Sequence, residues 1–207
     1  MAIKERKERE RQEMRGKILE AAREMFLEEG YDKTSIRNIA EKIEYSPGTI
    51  YQYFEDKDEI FFIIHQEGFD KLFEMMAVVN EISNPVEKLK TLGQIYMQFA
   101  IENPELYDLM FIMRAPMNRL LEKKKDWERG FTSFEFLESI VNECIEKKLI
   151  RFNESKIAAV AIWAYVHGLI SLYIRDRFKM LNEEEIEKIM NTCVISLMEM
   201  VEVDCAC

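Results

Sequence analysis

Apolar residues recur along this chain at helical rather than strand spacing. Between Lys4 and Glu29, Ile18, Ala22, Met25 and Phe26 share one helical face, and Gly30 stands where a left-handed cap would end the helix. Thr34 is positioned to cap a short second helix, whose Ile36, Ile39, Ala40 and Ile43 follow the i, i+3, i+4, i+7 rule. Ser46 followed by Pro47 predicts a third helix, to about Phe54, because proline at the first helical position loses no hydrogen bond. Asp56 is placed to cap a fourth, running from Lys57 towards Val79 with Ile60, Ile63, Ile64, Phe69, Leu72 and Phe73 in a broad apolar face. Asn84-Pro85 with Glu87 opens a fifth helix to about Ile101, and Asn103-Pro104 a sixth that Pro116 ends. Further helical patterns cover about Met117 to Lys148, Ser155 to Lys179 and Asn182 to Val203. No strand pattern competes, so the fold class expected is all-α.

Composition agrees with this reading. Only 7 Gly and 4 Pro occur in 207 residues, and 48% of residues are hydrophobic, enough for a sizeable core. The net charge of −10 excludes a protein that simply coats nucleic acid, since phosphate neutralisation needs an excess of Lys and Arg. The charge is uneven: residues 1–57 hold 12 basic and 13 acidic side chains, which leaves 17 of the 29 basic and 26 of the 39 acidic ones to the rest. Within residues 1–17, Lys4, Arg6, Lys7, Arg9, Arg11, Arg15 and Lys17 outnumber Glu5, Glu8, Glu10 and Glu13 and form a basic arm. Such an arm can reach a phosphate or the minor groove, although mixed-sign charge runs are ordinarily solvated helix. No 18-residue apolar run and no signal peptide stand out, so a cytoplasmic protein with no membrane segment is expected.

The chemistry concentrates in TSIRNIAEKIEYSPGTIYQYFEDK, Thr34 to Lys57. Two short amphipathic helices joined by a tight turn make a helix-turn-helix, whose second helix fits a major groove about 12 Å wide. Ile36, Ile39, Ile43, Ile50 and Phe54 supply its buried side, leaving Pro47, Gly48, Thr49, Tyr51, Gln52 and Tyr53 outside. Pro47 and Gly48 keep the surface low for backbone approach to phosphate, Thr49 and Gln52 can read base edges, and tyrosine hydroxyls can bond phosphates without adding charge. An acidic protein can therefore bind DNA through a small uncharged face.

Extended to Ile60, this stretch resembles the DNA-binding domain of the TetR/AcrR family of transcription regulators over about residues 15–62. The resemblance implies backbone or groove-edge contacts from Thr34, Ser35 and Arg37, groove contacts from Pro47, Gly48, Thr49 and Gln52, and phosphate contacts from Tyr51, Tyr53 and Lys57. It further implies a helix-turn-helix domain over 1–56 and a larger helical ligand-binding and dimerisation domain over 57–207. The chain departs from the family in carrying Glu44 where the turn often has Gly, and Glu55 where Lys is frequent; Glu44 must then adopt a left-handed turn conformation or the turn must change. AIWAYVHGLISLYI, Ala161 to Ile174, resembles the Trp-x-x-x-His-Gly segment of one C-terminal domain type, in which the last two helices pair with those of a second subunit.

Tyr96, Met97, Phe99, Tyr107, Met110, Phe111 and Met113 are candidates to line an adaptable apolar site, together with Trp127, Phe131, Phe134 and Trp163. Ordinary core packing explains most of them equally well. His167 can hydrogen-bond a ligand or sit satisfied by a neighbouring group, and Arg114 beside Pro116 can meet a carboxylate or a surface partner. The four cysteines form no C-x-x-C pair and have no histidine at zinc spacing; Cys205 and Cys207 stand on the terminal tail. Neither metal nor cofactor is expected. With only His65 and His167 as imidazoles, and no Ser-His-Asp grouping or phosphate loop, a helical enzyme or carrier with a vestigial reader is the lesser alternative. The expected function is ligand-responsive DNA binding as a homodimer: a repressor released from a near-palindromic operator by a small, largely apolar molecule.

Overall fold

A computed structural model describes residues 2–113 and 128–203. Arg114, Pro116, the Lys123 to Lys125 run, Trp127, Cys205 and Cys207 lie outside the described residues. Nine α-helices appear among those described: α1 (Ala2–Glu29), α2 (Ile36–Lys42), α3 (Pro47–Ile50), α4 (Lys57–Met76), α5 (Pro85–Glu102), α6 (Pro104–Tyr107), α7 (Glu128–Glu146), α8 (Ser155–Ile174) and α9 (Glu183–Val201). A 3₁₀ turn follows α4 at Ala77–Glu81, and a π-helical turn follows α6 at Asp108–Ile112. The expected all-α architecture is what the chain adopts. Its one β-type pairing among the described residues is an isolated bridge between Ile150 and Glu202.

Local chemistry sets most helix ends. Gly30 closes α1 at φ 85° with its N–H on the Phe26 carbonyl at 3.1 Å. Ser46 accepts from Thr49 N and Asn84 from Val86 N and Glu87 N, each with proline in the first turn. Asp56 Oδ1 accepts from Glu59 N at 2.9 Å at the start of α4. Three helices end on a non-glycine left-handed residue, Glu44, Lys148 and Asp176, at φ between 53° and 63°. After each, two backbone bonds fold back on the last turn: Tyr45 N to Ala40 O and Glu44 N to Glu41 O for α2, with the same pattern after α7 and α8. Those bonds offset the steric cost of a side chain in the left-handed region.

The expected cap of α2 needs correction. Thr34 is 1% exposed and its hydroxyl donates to the Gly30 carbonyl at 2.9 Å, whereas Ser35 is the cap and accepts from Asn38 N at 3.2 Å. The third helix is also shorter than expected. It ends at Ile50 and continues as turns through Tyr53, because Ile50 and Phe54 both bury and pull the chain inward. At α8 the cap position is Glu154, and the Ser155 hydroxyl donates to Glu138 Oε1 at 3.0 Å.

The described residues gather into two compact units, one holding Met1–Gly68 with the segment that begins at Leu109, the other holding Phe69–Asp108 with the chain from Glu128 on. The division falls inside α4, whose part up to Gly68 groups with the N-terminal helices. In the first unit Ile18, Ala22 and Phe26 of α1 and Ile60, Phe61 and Ile64 of α4 are fully buried, with the Phe26 and Phe61 rings in contact. In the second, α5 packs on α7, α8 and α9; Gly93 lets α5 approach α9 so closely that a Cβ there would lie 3.2 Å from Val194 Cγ1.

His65 in the first unit is 1% exposed beside the Phe61 ring, and burial holds its pKa down at about 4, against a smaller opposing pull from the Met110 backbone. Because the folded pKa lies below the ordinary 6.5, the unfolded chain takes up the proton first. This histidine therefore costs nothing above about pH 6.5 and removes up to about 3 kcal/mol as pH falls towards 4. His65→Gln is expected to flatten that part of the stability profile measured by urea unfolding between pH 7 and 4.5; an unchanged profile would refute it.

One helix departs from the sequence expectation. Ile157 to Ile174 is an 18-residue run without Asp, Glu, Lys or Arg, and α8 is long and apolar enough to cross a membrane by length and composition, with a mean hydropathy of 1.8. Ile157, Val160 and Leu172 are 44–56% exposed on its surface.

Candidate nucleic-acid interface

The N–H groups of the first turn of α3 lie behind a low, exposed surface. Ser46, Pro47 and Gly48 are exposed, Thr49 is half-buried, and Tyr51 and Gln52 stand out beyond them. Ser46 Oγ accepts from Thr49 N at 3.3 Å and lies 3.1 Å from Thr49 Oγ1, so the two hydroxyls share one cap. Tyr51 is 59% exposed and Tyr53 half-buried. These six expected positions, Pro47 to Thr49 and Tyr51 to Tyr53, form one continuous outer edge on Ile50 and Phe54 as its buried backing. Its hydroxyls, amide and helix N-terminus offer donors with no acidic side chain among them.

Arg37 projects from α2, 81% exposed, with Nε on Glu41 Oε1 at 2.9 Å, and Ser35 is committed to capping α2. Thr34 and Lys57 are turned inward. The Lys57 ammonium donates to the carbonyls of Tyr31 and Thr34 at 2.7 and 2.9 Å and sits 3.8 Å from the Tyr31 ring centroid. It ties the start of α4 to the connection before α2, so its expected phosphate contact competes with two internal bonds. The sequence reading missed Tyr45, 42% exposed at the α2–α3 turn with the Lys17 ammonium over its ring at 5.1 Å. A tyrosine directly before the cap was the available signal.

In the second unit the structure brings together four of the aromatic candidates. Trp163 Nε1 donates to the Tyr96 hydroxyl at 3.1 Å, Tyr96 and Tyr107 hydroxyls lie 2.8 Å apart, and the Tyr107 hydroxyl meets Nδ1 of His167. The Tyr96 hydroxyl also lies 3.4 Å from His167 Nδ1, so both tyrosines converge on one ring nitrogen. Burial pushes the His167 pKa down and both tyrosine pKa values up, so all members stay neutral near pH 7. His167 thus has a neighbouring hydroxyl as its partner. Phe134 packs edge-on against Trp163 at 6.2 Å, and Met97 and Phe99 are buried in α5. Phe131, expected to line a site, is instead 58% exposed, because the inward side of α7 is taken by Ile140, Val141 and Cys144. Met110, Phe111 and Met113 belong to the first unit.

Residues 18–72 match the model of bacterial regulatory proteins of the tetR family, and residues 89–194 match that of the tetracyclin repressor-like C-terminal domain. An HTH-type transcriptional repressor of Mycobacterium tuberculosis is 40% identical over 117 residues, 56% of this chain and 56% of its own. The regulator HbdR of Aromatoleum sp. is 39% identical over 79 residues, 38% of this chain and 34% of its own, and the repressor AcnR of Corynebacterium efficiens 28% over 137 residues, 66% and 64%. The matches to these curated relatives thus span between about a third and two thirds of their length. Among solved structures, the fatty acid degradation regulator FadR of Bacillus halodurans superposes with a TM-score of 0.71 at 18% identity, covering 93% of this chain and 96% of that one. The ketosteroid regulator KstR2 of Mycobacterium tuberculosis does so at 0.68 and 19%, covering 92% and 96%. With a reader and a helical C-terminal unit each matched in order along its length, the chain belongs to the TetR family of transcriptional regulators.

Proposed function

We propose that this protein is a DNA-binding transcriptional repressor that works as a homodimer and is released from its operator by a small, largely apolar molecule. The observation that carries this reading is the exposed, uncharged edge from Pro47 to Tyr53 at the head of α3. Thr49 and Gln52 read bases; Ser35, Arg37, Tyr51 and Tyr53 meet phosphates; Thr34 and Lys57 act by holding the reader's backbone. Such a protein works beside the chromosome, in the cytoplasm.

A second copy of this chain fits the uncovered face of α8. Ile157, Ala161, Ala164, Gly168 and Leu172 lie on one side of the helix and are exposed or half-buried, and nothing crowds Gly168. Small residues flanked by larger apolar ones let a partner helix approach closely. Pairing also gives the reader what it needs, since one short helix reads too few bases and two of them read half-sites about 34 Å apart. The ligand reading is supported by the buried apolar side chains of the second unit and by the polar chain of Tyr96, Tyr107, Trp163 and His167 among them. FadR is named for fatty acid degradation and KstR2 for ketosteroids; long-chain fatty acyl compounds and steroids are accordingly the first probes.

Footprinting on DNA upstream of the protein's own gene tests this. A protected, near-palindromic site is expected, with Thr49→Ala or Gln52→Ala shifting base preference by about 1–3 kcal/mol at one position of each half-site. Tyr51→Phe should weaken all sequences alike. In the same assay Ala164→Arg should yield a monomer that no longer protects the site. A wild-type protein that is monomeric at micromolar concentration, or that protects no DNA, would overturn the reading.

A further inference from the structure

Helix α1 extends well past the reader. It runs beside the helix-turn-helix at Arg15, whose guanidinium stands 5.2 Å from the Phe54 ring centroid, and at Lys17, whose ammonium covers Tyr45. From there it continues to Ala2, and every residue from Lys4 to Glu13 is exposed. At 1.5 Å per residue, Lys4 lies about 16 Å beyond Arg15 along the helix axis. A helical extension with no buried face gains nothing from the core and must be explained by its own charges or by a partner.

Those charges are sorted. Arg6 and Arg9 are neutralised along the helix by Glu10 and Glu13, at 2.7 and 3.7 Å. Lys4, Lys7 and Arg11 pair with no carboxylate among the described residues. At 100° per residue, Lys4, Lys7, Arg11 and Arg15 form one stripe, and that stripe continues C-terminally as the buried line of Ile18, Ala22, Met25 and Phe26. At Arg15 this stripe faces the ring of Phe54, the buried backing of the reading edge. The unpaired cations therefore emerge on the side that meets Phe54, while at 100° per residue Glu5 and Glu13 fall outside the stripe. Glu8, at the edge of the stripe, is engaged by the Gln12 amide at 2.9 Å.

We propose that the Lys4–Lys7–Arg11 stripe is a second DNA-contacting element, laid along backbone phosphates that flank the half-site. The proposal rests on the repressor reading. Its occupant follows from charge and continuity: a row of unpaired cations, continuous with the reader, on a chain whose net charge of −10 would otherwise repel a polyanion. The stripe supplies affinity without base information, complementing a reading edge that has few cations of its own.

The test compares full-length protein with the triple variant Lys4→Gln, Lys7→Gln, Arg11→Gln, which keeps good helix formers. Each is titrated against the footprinted operator duplex over a range of salt. The variant is expected to bind about tenfold or more weakly, and its plot of log K against log salt should flatten by about 0.9 per lost contact, roughly 5 for a dimer that loses six. Base preference should stay unchanged. A second variant, Glu5→Gln with Glu13→Gln, changes charge on the opposite side and should leave the slope as in wild type. If the triple variant matches wild type in affinity and slope while wild type binds the operator, the stripe proposal is overturned and the repressor reading stands. If the Glu variant moves the slope as much, net charge rather than the stripe is responsible and the proposal also falls. Wild type that binds no duplex defeats the underlying reading itself.

Discussion

Phe26→Ala is expected to destabilise the N-terminal unit by about 3–5 kcal/mol and to abolish operator binding with it. Phe26 is fully buried, stacked on Tyr31 at 5.8 Å and edge-on to Phe61 at 5.3 Å, while Tyr31 and Phe61 meet at 5.2 Å. The three rings come from α1, the connection before α2, and α4, so this cluster joins the segments that hold the reader. Against a whole-domain stability of about 5–15 kcal/mol, such a loss leaves much of the unit unfolded at physiological temperature. Tyr31 also donates its hydroxyl to the buried Asp58 carboxylate, so loosening the cluster threatens a charged hydrogen bond as well. Urea unfolding provides the measurement, with Phe131→Ala as comparator. That ring is 58% exposed and its loss should cost less than about 1 kcal/mol. Equal losses for the two variants would contradict this account of the core.

What could be read from the sequence was chemistry confined to a few neighbouring residues. Gly30 as a left-handed cap, Ser46-Pro47, Asp56 and Asn84-Pro85 are each decided within one turn, and the structure uses all of them. For Glu44 the family resemblance left two outcomes, a left-handed residue or an altered turn, and the residue is left-handed at φ 63°. Choices that depend on distant backbone were not. Thr34 and Ser35 are equally good caps in isolation; the Gly30 carbonyl, brought alongside by the packing of α1, takes the Thr34 hydroxyl and leaves the cap to Ser35. Lys57 looked like a free cation because the two carbonyls that hold it lie 26 and 23 residues earlier. The polar chain in the second unit is likewise non-local, with His167 meeting Tyr107 across 60 residues and Trp163 meeting Tyr96 across 67. Sequence suggested these residue types but not their directional pairing.

A molecule that enters the helical second unit and releases the operator is expected to bind DNA-free protein about 5- to 150-fold more tightly than operator-bound protein, a coupling of about 1–3 kcal/mol. Linkage requires this symmetry: whatever factor the ligand takes from DNA affinity, DNA takes from ligand affinity. The buried side chains favour an apolar body, and the polar chain adds a demand of its own. It gathers the hydroxyls of Tyr96 and Tyr107, the Trp163 indole N–H and the His167 ring at one place among apolar side chains, so a ligand bearing a carbonyl or carboxylate should be preferred over its hydrocarbon analogue. Tyr107→Phe removes the hydroxyl that fixes this arrangement. It should narrow the preference between the two analogues while leaving operator affinity intact, since Tyr107 lies outside the unit that carries the reader. Calorimetric titration of matched acids and hydrocarbons into free and operator-bound protein measures both quantities. A compound that binds the two forms equally is no inducer, however tightly it binds. Should no apolar compound distinguish them, ligand-driven release would have to be abandoned for this protein.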